Sequence, residues 1–510
     1  MPATALDIAL LSAGVAYFAF VVMRQRKRRH PYPPTPKGIP ILGNALQIPV
    51  HESWLAFRKM SEDLQSDIVH LNAAGQSIIV LNNVRDAKEL LVKRSKIYSS
   101  RPQALMCNEL MGWGWMISGR AYDAEWRVRR RLFQRHFQPS DVALVQTRTQ
   151  EHVDKLLSEL LESPANFKEH IRHLVGGLAY SLAYGIQIAP TNDPHLKLAE
   201  EALEPAAKAI VPGAYLVDVL PFLKYVPEWF PGAGFKRDAR VWKVMMERYR
   251  SGPYDLAERA FENQTARTCL VSMALESTPE DQRESQKDVI KDAAGMFFTA
   301  GFDTTRSALT YFVLAMITFP EVQAKAQREL DAVVGSDRLP DFSDRERLPY
   351  ISAILEEVLR WWPAAGLAVP HLSTEDDIYQ GYFIPKESVV IANVWGMLHN
   401  EEEYPESHLF RPERYLDESG APSNAVMLPS EVAFGFGRRI CPGLHIGQEM
   451  LWLTVASVLA TFNFSKAKDA QGREIEPEIS CEPGLVAFPK PFDCTIIPRS
   501  RSATNLVKQI

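Results

Sequence analysis

Apolar residues recur at three- and four-residue spacing through most of the chain, which marks amphipathic helices. The clearest stretches are 140–162, 193–210, 236–262, 286–319, 320–334, 349–362 and 443–461. Strand patterns are short and few. IVHLNAAGQSIIVLN at 68–82 alternates about a turn and predicts two strands, and NVRDAKELLVKRS after it predicts a helix. Strand signals return near 378–392 and 474–497. The expected body is mainly α with small peripheral β-sheets. Past residue 44 there is no linker, low-complexity stretch or internal repeat. One catalytic domain is therefore expected over 44–500, ending in a short tail at 501–510.

The N-terminal stretch has a different pattern. From Ala3 to Met23 the only charged side chain is Asp7, and a helix of that length spans roughly 31 Å, a bilayer's hydrocarbon core. Arg24, Arg26, Lys27, Arg28 and Arg29 follow at once, and nothing basic precedes. That asymmetry predicts a single-pass anchor over 3–23 with the remaining chain in the cytosol. A cleaved signal peptide would carry its positive charge before the apolar run. Residues 24–43, basic and then rich in proline (Pro31, Pro33, Pro34, Pro36, Pro40), read as a stiff hinge between anchor and body.

Composition narrows the function. With 46% hydrophobic and 23% charged residues, the 510-residue chain has the make-up of a folded protein. Lys plus Arg total 57 against 62 Asp plus Glu, a net charge of −5 that excludes a phosphate-backbone binder, so no nucleic-acid partner is expected. Without residues 1–30, which hold five Lys or Arg and one Asp, the balance is 52 against 61, so the body carries −9. The five cysteines, at 107, 269, 441, 481 and 494, form neither a disulfide framework nor a CxxC zinc pair. That usage fits reducing cytosol.

Cys441 stands apart from the other four. In AFGFGRRICPG (433–443), Gly435, Gly437 and Gly443 clear one face of a loop for close approach to a flat group. Pro442 is expected to start a helix, so a helix N-terminus together with Arg438 and Arg439 would favour thiolate. Such a thiolate suits a nucleophile, a zinc ligand or an axial haem ligand.

The loop resembles the haem-binding FxxGxRxCxG loop of the cytochrome P-450 family, which Phe434, Gly437, Arg439, Cys441 and Gly443 match at every fixed position. The resemblance covers nearly the whole chain and implies the cytochrome P-450 fold, preceded here by one transmembrane helix. It makes Cys441 the axial ligand of haem b, with Phe434, Gly435 and Gly443 shaping the loop. AGFDTT (300–305), inside the helix at 286–319, matches the family's oxygen-activation groove, with Asp303 as acid and Thr304 as hydroxyl. Glu357 and Arg360 match ExxR, and Arg414 in FRPERY is their expected structural partner. WRVRR (126–130) matches WxxxR, making Trp126, Arg130 and Arg439 donors to the haem propionates. His371 is a further donor, although Leu372 follows where many relatives have Arg.

The resemblance also supplies a function. An NADPH- and O2-dependent monooxygenase is implied, fed by a membrane-bound NADPH–cytochrome P-450 reductase that docks near Arg127, Arg129, Arg131 and Arg135. Trp113, Trp115, Leu367 and Leu485 fall in substrate-facing regions and imply a hydrophobic, aromatic or terpenoid-sized substrate. WFPGAGFKRDARVW and GYFIPK look most like the fungal microsomal branch of secondary metabolism and xenobiotic oxidation, which places the chain at the endoplasmic reticulum membrane. The rival readings are a haem-thiolate isomerase or dehydratase that needs no O2, and a non-catalytic haem-binding protein. Retention of Asp303 and Thr304 speaks against both.

Overall fold

A computed structural model describes residues 30–510 apart from positions 50, 141 and 212. The expected anchor (3–23) and its basic collar (24–29) lie outside these residues. Among those described, no helix is long and apolar enough to cross a membrane.

Helices of seven or more residues are numbered α1 Ser53–Leu64, α2 Ala124–His136, α3 Ala143–Glu162, α4 Phe167–Tyr184, α5 Pro194–Ile210 and α6 Gly234–Glu262. They continue as α7 Leu270–Ser277, α8 Arg283–Thr318, α9 Pro320–Val333, α10 Pro349–Trp361, α11 Leu444–Thr461 and α12 Arg501–Val507. The strands are β1 Ile68–Ala73, β2 Gln76–Leu81, β3 His371–Leu372, β4 Asp377–Tyr379, β5 Tyr382–Ile384, β6 Val389–Ala392, β7 Phe462–Lys466, β8 Cys481–Glu482, β9 Phe488–Pro489 and β10 Cys494–Pro498. The expected mainly helical body with small sheets is the one observed.

Helix starts follow local chemistry. Asp123 accepts the Trp126 N–H at 2.7 Å and so begins α2, while Asp193 caps the N–H groups of His195 and Leu196 ahead of α5. Proline at the first position opens α5, α9 and α10, where its missing N–H is not needed. Helix α8 runs through the centre of the body and packs on α2, α4, α6, α7, α10 and α11. Its last third, Ser307 to Ile317, is buried on every side.

The four-stranded sheet has the order β1-β2-β6-β3. Ile78–Leu81 of β2 run parallel to Val389–Ala392 of β6, joining segments about 300 residues apart. β3 then pairs with β6 through His371 and Val390, which fixes His371 beside the residues around Ser99 and Ser100.

Several expectations need correction. The proline-rich stretch is no free spacer from residue 31 onward: Pro31 O accepts the Phe383 N–H, Pro34 O accepts the His70 N–H, and the Asn44 N–H donates to Asn72 O at 2.6 Å. It is pinned to the strands. The helix expected after residue 82 is three short turns, Val84–Ala87, Lys88–Lys93 and Ser95–Tyr98. The C-terminal tail forms α12, with Ala503 and Val507 buried against α3 and α11.

Candidate functional site

The cysteine loop is shaped by two short turns, Ser430–Ala433 and Gly437–Arg439. Phe434 closes the first, and its carbonyl accepts the Cys441 N–H at 2.8 Å. Gly437 has φ +57°, and an added Cβ would lie 2.2 Å from the Leu91 carbonyl oxygen. Only glycine lets the loop pass that backbone. Helix α11 begins at Leu444 rather than at Pro442, with Gly443 as its N-cap. The Gly443 N–H favours the charged form of the Cys441 sulfur.

Burial raises the Cys441 thiol above its ordinary value, and the Gly443 N–H and the Arg130 charge pull it back. The expected electrostatic help from Arg438 and Arg439 is not what acts on the sulfur. Arg438 is exposed and donates to the Tyr122 hydroxyl at 3.3 Å. Arg439 is buried and donates to the carbonyls of Ser99, Ile117 and Arg120, with its guanidinium 4.4 Å from the Trp126 ring. No group of three or more His, Cys, Asp or Glu among the described residues is arranged to hold a metal ion, so Cys441 has no companions for a zinc site.

Around the loop gathers a set of buried cations. Arg130 is 8% exposed and has neither a hydrogen-bond acceptor nor an ion pair among the described residues. Trp126 Nε1 is buried and likewise unpartnered. Burial and the neighbouring Arg130 push Arg439 down to about 10. His371 donates through its Nδ1–H to Tyr98 O at 2.6 Å, and burial, Arg101 and Arg439 hold its pKa well below the usual value. Sequence reasoning missed Arg101, which binds the carbonyls of Ser118, Val369 and Pro370 and is depressed by burial and by Arg439. An isolated arginine before a proline carries no pattern that would have found it.

None of Arg101, Arg130 and Arg439 pairs with a carboxylate among the described residues. Buried, mutually repelling cations are stable only beside anions. An added Cβ at Gly435, Gly443 or Gly447 would meet no atom within 4 Å, so the loop and the start of α11 present a bare face. An orphaned indole N–H, unpaired buried guanidinium groups and a glycine face fit a flat group carrying carboxylates and held by Cys441. The residues present thus fit haem.

On α8, between the buried stretches 292–296 and 307–317, Ala300 is exposed and a Cβ on Gly301 would touch nothing, so this face opens as a groove. The Thr304 hydroxyl donates to Ala300 O at 2.8 Å, which leaves its lone pairs for an incoming donor. Asp303 keeps 36% of its side chain accessible and ion-pairs with Arg306 at 3.3 Å. Protein packed around that carboxyl makes desolvation the largest influence on it: burial raises its pKa, Arg306 lowers it and Glu200 raises it again.

The remaining expected residues divide. Glu357, Arg360 and Arg414 come together: Glu357 takes two bonds from Arg360 at 2.7 and 2.8 Å and a longer one from Arg414 at 3.4 Å, plus Tyr415 Oη at 2.8 Å. Trp113 and Trp115 stack at 5.6 Å inside the main core, and Trp113 also packs on Tyr249. Leu367 is half-buried between two parts of the core, whereas Leu485 is 51% exposed in the C-terminal turn. Among the arginines expected to face a reductase, Arg127, Arg131 and Arg135 are exposed. Arg129 is not: it is buried and binds Asp292 and Glu125, both at 2.7 Å.

The family model described as Cytochrome P450 matches residues 33–495. Cytochrome P450 monooxygenase ple1 of Rhodocybe pseudopiperita is 41% identical over 500 residues, covering 97% of this chain and 94% of that protein. Cytochrome P450 monooxygenase 98 of Postia placenta is 42% identical over 504 residues, 98% of this chain and 97% of its own. Tryptamine 4-monooxygenase of Psilocybe cyanescens is 38% identical over 504 residues, 98% of this chain and 99% of its own.

Proposed function

The chain belongs to the cytochrome P450 family and is a monooxygenase of the oxidoreductase class, and from that premise we propose that it inserts one atom of O2 into a hydrophobic small molecule, with NADPH electrons delivered by a membrane-bound NADPH–cytochrome P-450 reductase. The observation that carries this reading is the anion-seeking cluster of Trp126 and Arg130 beside Cys441 and its bare glycine face. Haem held there by the Cys441 thiolate would supply one-electron and O2 chemistry.

The protein's own part is to hold, orient and deliver protons. Cys441 serves as the thiolate, steadied by the Gly443 N–H. Trp126 Nε1–H, Arg130 and Arg439 would hold the two propionates, and an anion beside His371 would raise its depressed pKa so that it could donate as well. Phe434 fixes the cysteine backbone, while Gly435 and Gly443 leave room for the macrocycle. At the α8 groove, Asp303 takes protons from water and passes them through Thr304, whose hydroxyl can accept one while donating another.

The substrate is read as an aromatic or terpenoid-sized secondary metabolite or xenobiotic. The ring-rich packing of Trp113, Trp115, Tyr249 and Phe298 near the α8 groove supports an apolar site, as does the name of one relative, a tryptamine 4-monooxygenase. The exposed Arg127, Arg131 and Arg135 offer a docking face to an acidic reductase. Residues 3–23 anchor the chain in the endoplasmic reticulum membrane, with the body in the cytosol.

Co-expression with a reductase tests the reaction class. The expected result is NADPH-dependent product carrying 18O from labelled O2. Turnover that persists without NADPH or O2 would contradict it and favour the isomerase or dehydratase reading.

A further inference from the structure

A series of side chains alternating in charge runs outward from the α8 groove. Asp303 Oδ1 lies 3.3 Å from Arg306 Nη2, and Arg306 Nη1 lies 3.9 Å from Glu200 Oε1 on α5. Glu200 is gripped from its other side by Arg172 on α4, through Nε at 2.6 Å and Nη2 at 2.9 Å. Arg172 then reaches Glu169, half exposed, at 2.5 Å. Five side chains on three helices thus connect the groove to solvent.

The spacing within the series is unequal. Arg172 binds Glu200 through two short bonds, whereas Arg306 stands farther from Glu200 than from Asp303. Glu200 is largely neutralised by Arg172, so most of the Arg306 charge falls to Asp303. Arg306 is itself held in place, its guanidinium 4.5 Å from the Phe488 ring and 5.3 Å from that of Phe302. The next residue, Ser307, donates to Ala487 O and ties the same point of α8 to the C-terminal turn.

We propose that Arg306 is the positioning residue for the proton-delivering carboxyl, and that the Glu169–Arg172–Glu200–Arg306 ladder fixes both the orientation and the charge of Asp303. The inference rests on Asp303 being the acid of the reaction proposed above. A guanidinium stays protonated, so the ladder conducts no protons and acts only through position and field. The groups facing Asp303 are Arg306 on its own helix, Glu200 on α5 and the Tyr249 hydroxyl on α6, the last bonded to Thr299 Oγ1 at 2.5 Å. Glu200 and Arg306 act on it in opposite directions, so removing either moves it oppositely.

The experiment is an infrared pH titration of the protonated-carboxyl band in the haem-loaded ferric protein, isolated by subtracting the Asp303→Asn spectrum. Arg306→Gln should move the midpoint up by about one pH unit, the scale set by a charge 3 to 4 Å away in partly solvated surroundings. Glu200→Gln should move it down, and Arg306→Lys should return it toward wild type. A merely structural role would not give shifts of opposite sign. Midpoints unchanged in both variants, or moved in the same direction, overturn the proposal. Product formed per NADPH, measured across pH in Asp303→Asn, tests the underlying reading separately. Undiminished coupling there removes Asp303 as the acid, and the proposal with it, even if the infrared shifts appear.

Discussion

Replacing Glu357 by alanine removes a carboxylate that has no solvent exposure and is the shared acceptor of five donors. Two are Arg360 N–H groups, and the others are the Arg411 N–H at 2.7 Å, Arg414 Nε at 3.4 Å and Tyr415 Oη at 2.8 Å. Arg360 is as buried as Glu357, and its three other bonds go to the carbonyls of Leu398, Ser407 and Leu409. Those bonds hold the guanidinium where it is after the carboxylate has gone, leaving an unpaired buried charge. Breaking such a pair costs about 3 to 5 kcal/mol, a large share of the roughly 5 to 15 kcal/mol that holds a typical domain together. Urea unfolding of the variant, followed by tryptophan fluorescence, should show that loss, since the buried Trp361 follows Arg360 directly in α10. A Glu357→Leu, Arg360→Leu double variant should not recover it, because three carbonyls lose their donors at about 1 to 3 kcal/mol each. A single variant within about 1 kcal/mol of wild type would refute the reasoning, as the charge would then have found solvent or another partner.

Gly437→Ala should lower the haem-to-protein ratio and the melting temperature together, because its Cβ meets Leu91 O at 2.2 Å, whereas Gly443→Ala, with open space around it, should keep the melting temperature of the haem-free protein. Asp292→Asn should destabilise by roughly 3 kcal/mol or more, since the buried carboxylate joins Arg129 at 2.7 Å to Arg250 at 2.5 Å and so ties α2 and α6 to α8. Burial and Arg360 push His399 down to about 3, so it stays neutral in the fold while the unfolded chain takes up a proton near pH 6.5. Its contribution is present above pH 6.5 and is lost as pH falls toward 3, at about 1.4 kcal/mol per pH unit. Stability measured between pH 6 and 4 should therefore fall less steeply in His399→Gln, and an identical slope would count against a neutral His399.

Helices such as α3, α5, α6 and α9 were readable in the sequence because a polar, solvent-facing side alternates with an apolar one. Helix α5 begins one residue from its expected start, where Asp193 and Pro194 supply cap and first turn. Helix α4 gave no such signal. Apart from Arg172, every residue from His170 to Tyr184 is buried, so no polar face alternates with an apolar one, and Gly176 and Gly177 suggest a break. The glycines are there because a Cβ at either would strike Leu196 or His152. Apart from β3 and β7 the strands were visible, but their pairing was not: nothing local in Ile78–Leu81 names Val389–Ala392 as its parallel neighbour.

Of the residues proposed for the site, those inside contiguous motifs, including Cys441, Asp303, Thr304, Trp126 and Glu357, could be named from the sequence. Those that act from elsewhere in the chain were not. Arg101 and Glu200 reach the site only through tertiary packing, and each reads locally as an ordinary charged residue. Arg129 shows the converse, since a basic helix face promised four exposed arginines and one turns inward to meet Asp292.

The difference spectrum of the reduced protein with and without CO, wild type against Cys441→Ser, probes the haem-thiolate centre itself. Wild type should show the long-wavelength Soret band of thiolate-ligated haem, and the variant should lose it while keeping its helical content. A thiolate band that survives in Cys441→Ser, or its absence from both proteins, would contradict Cys441 as the ligand.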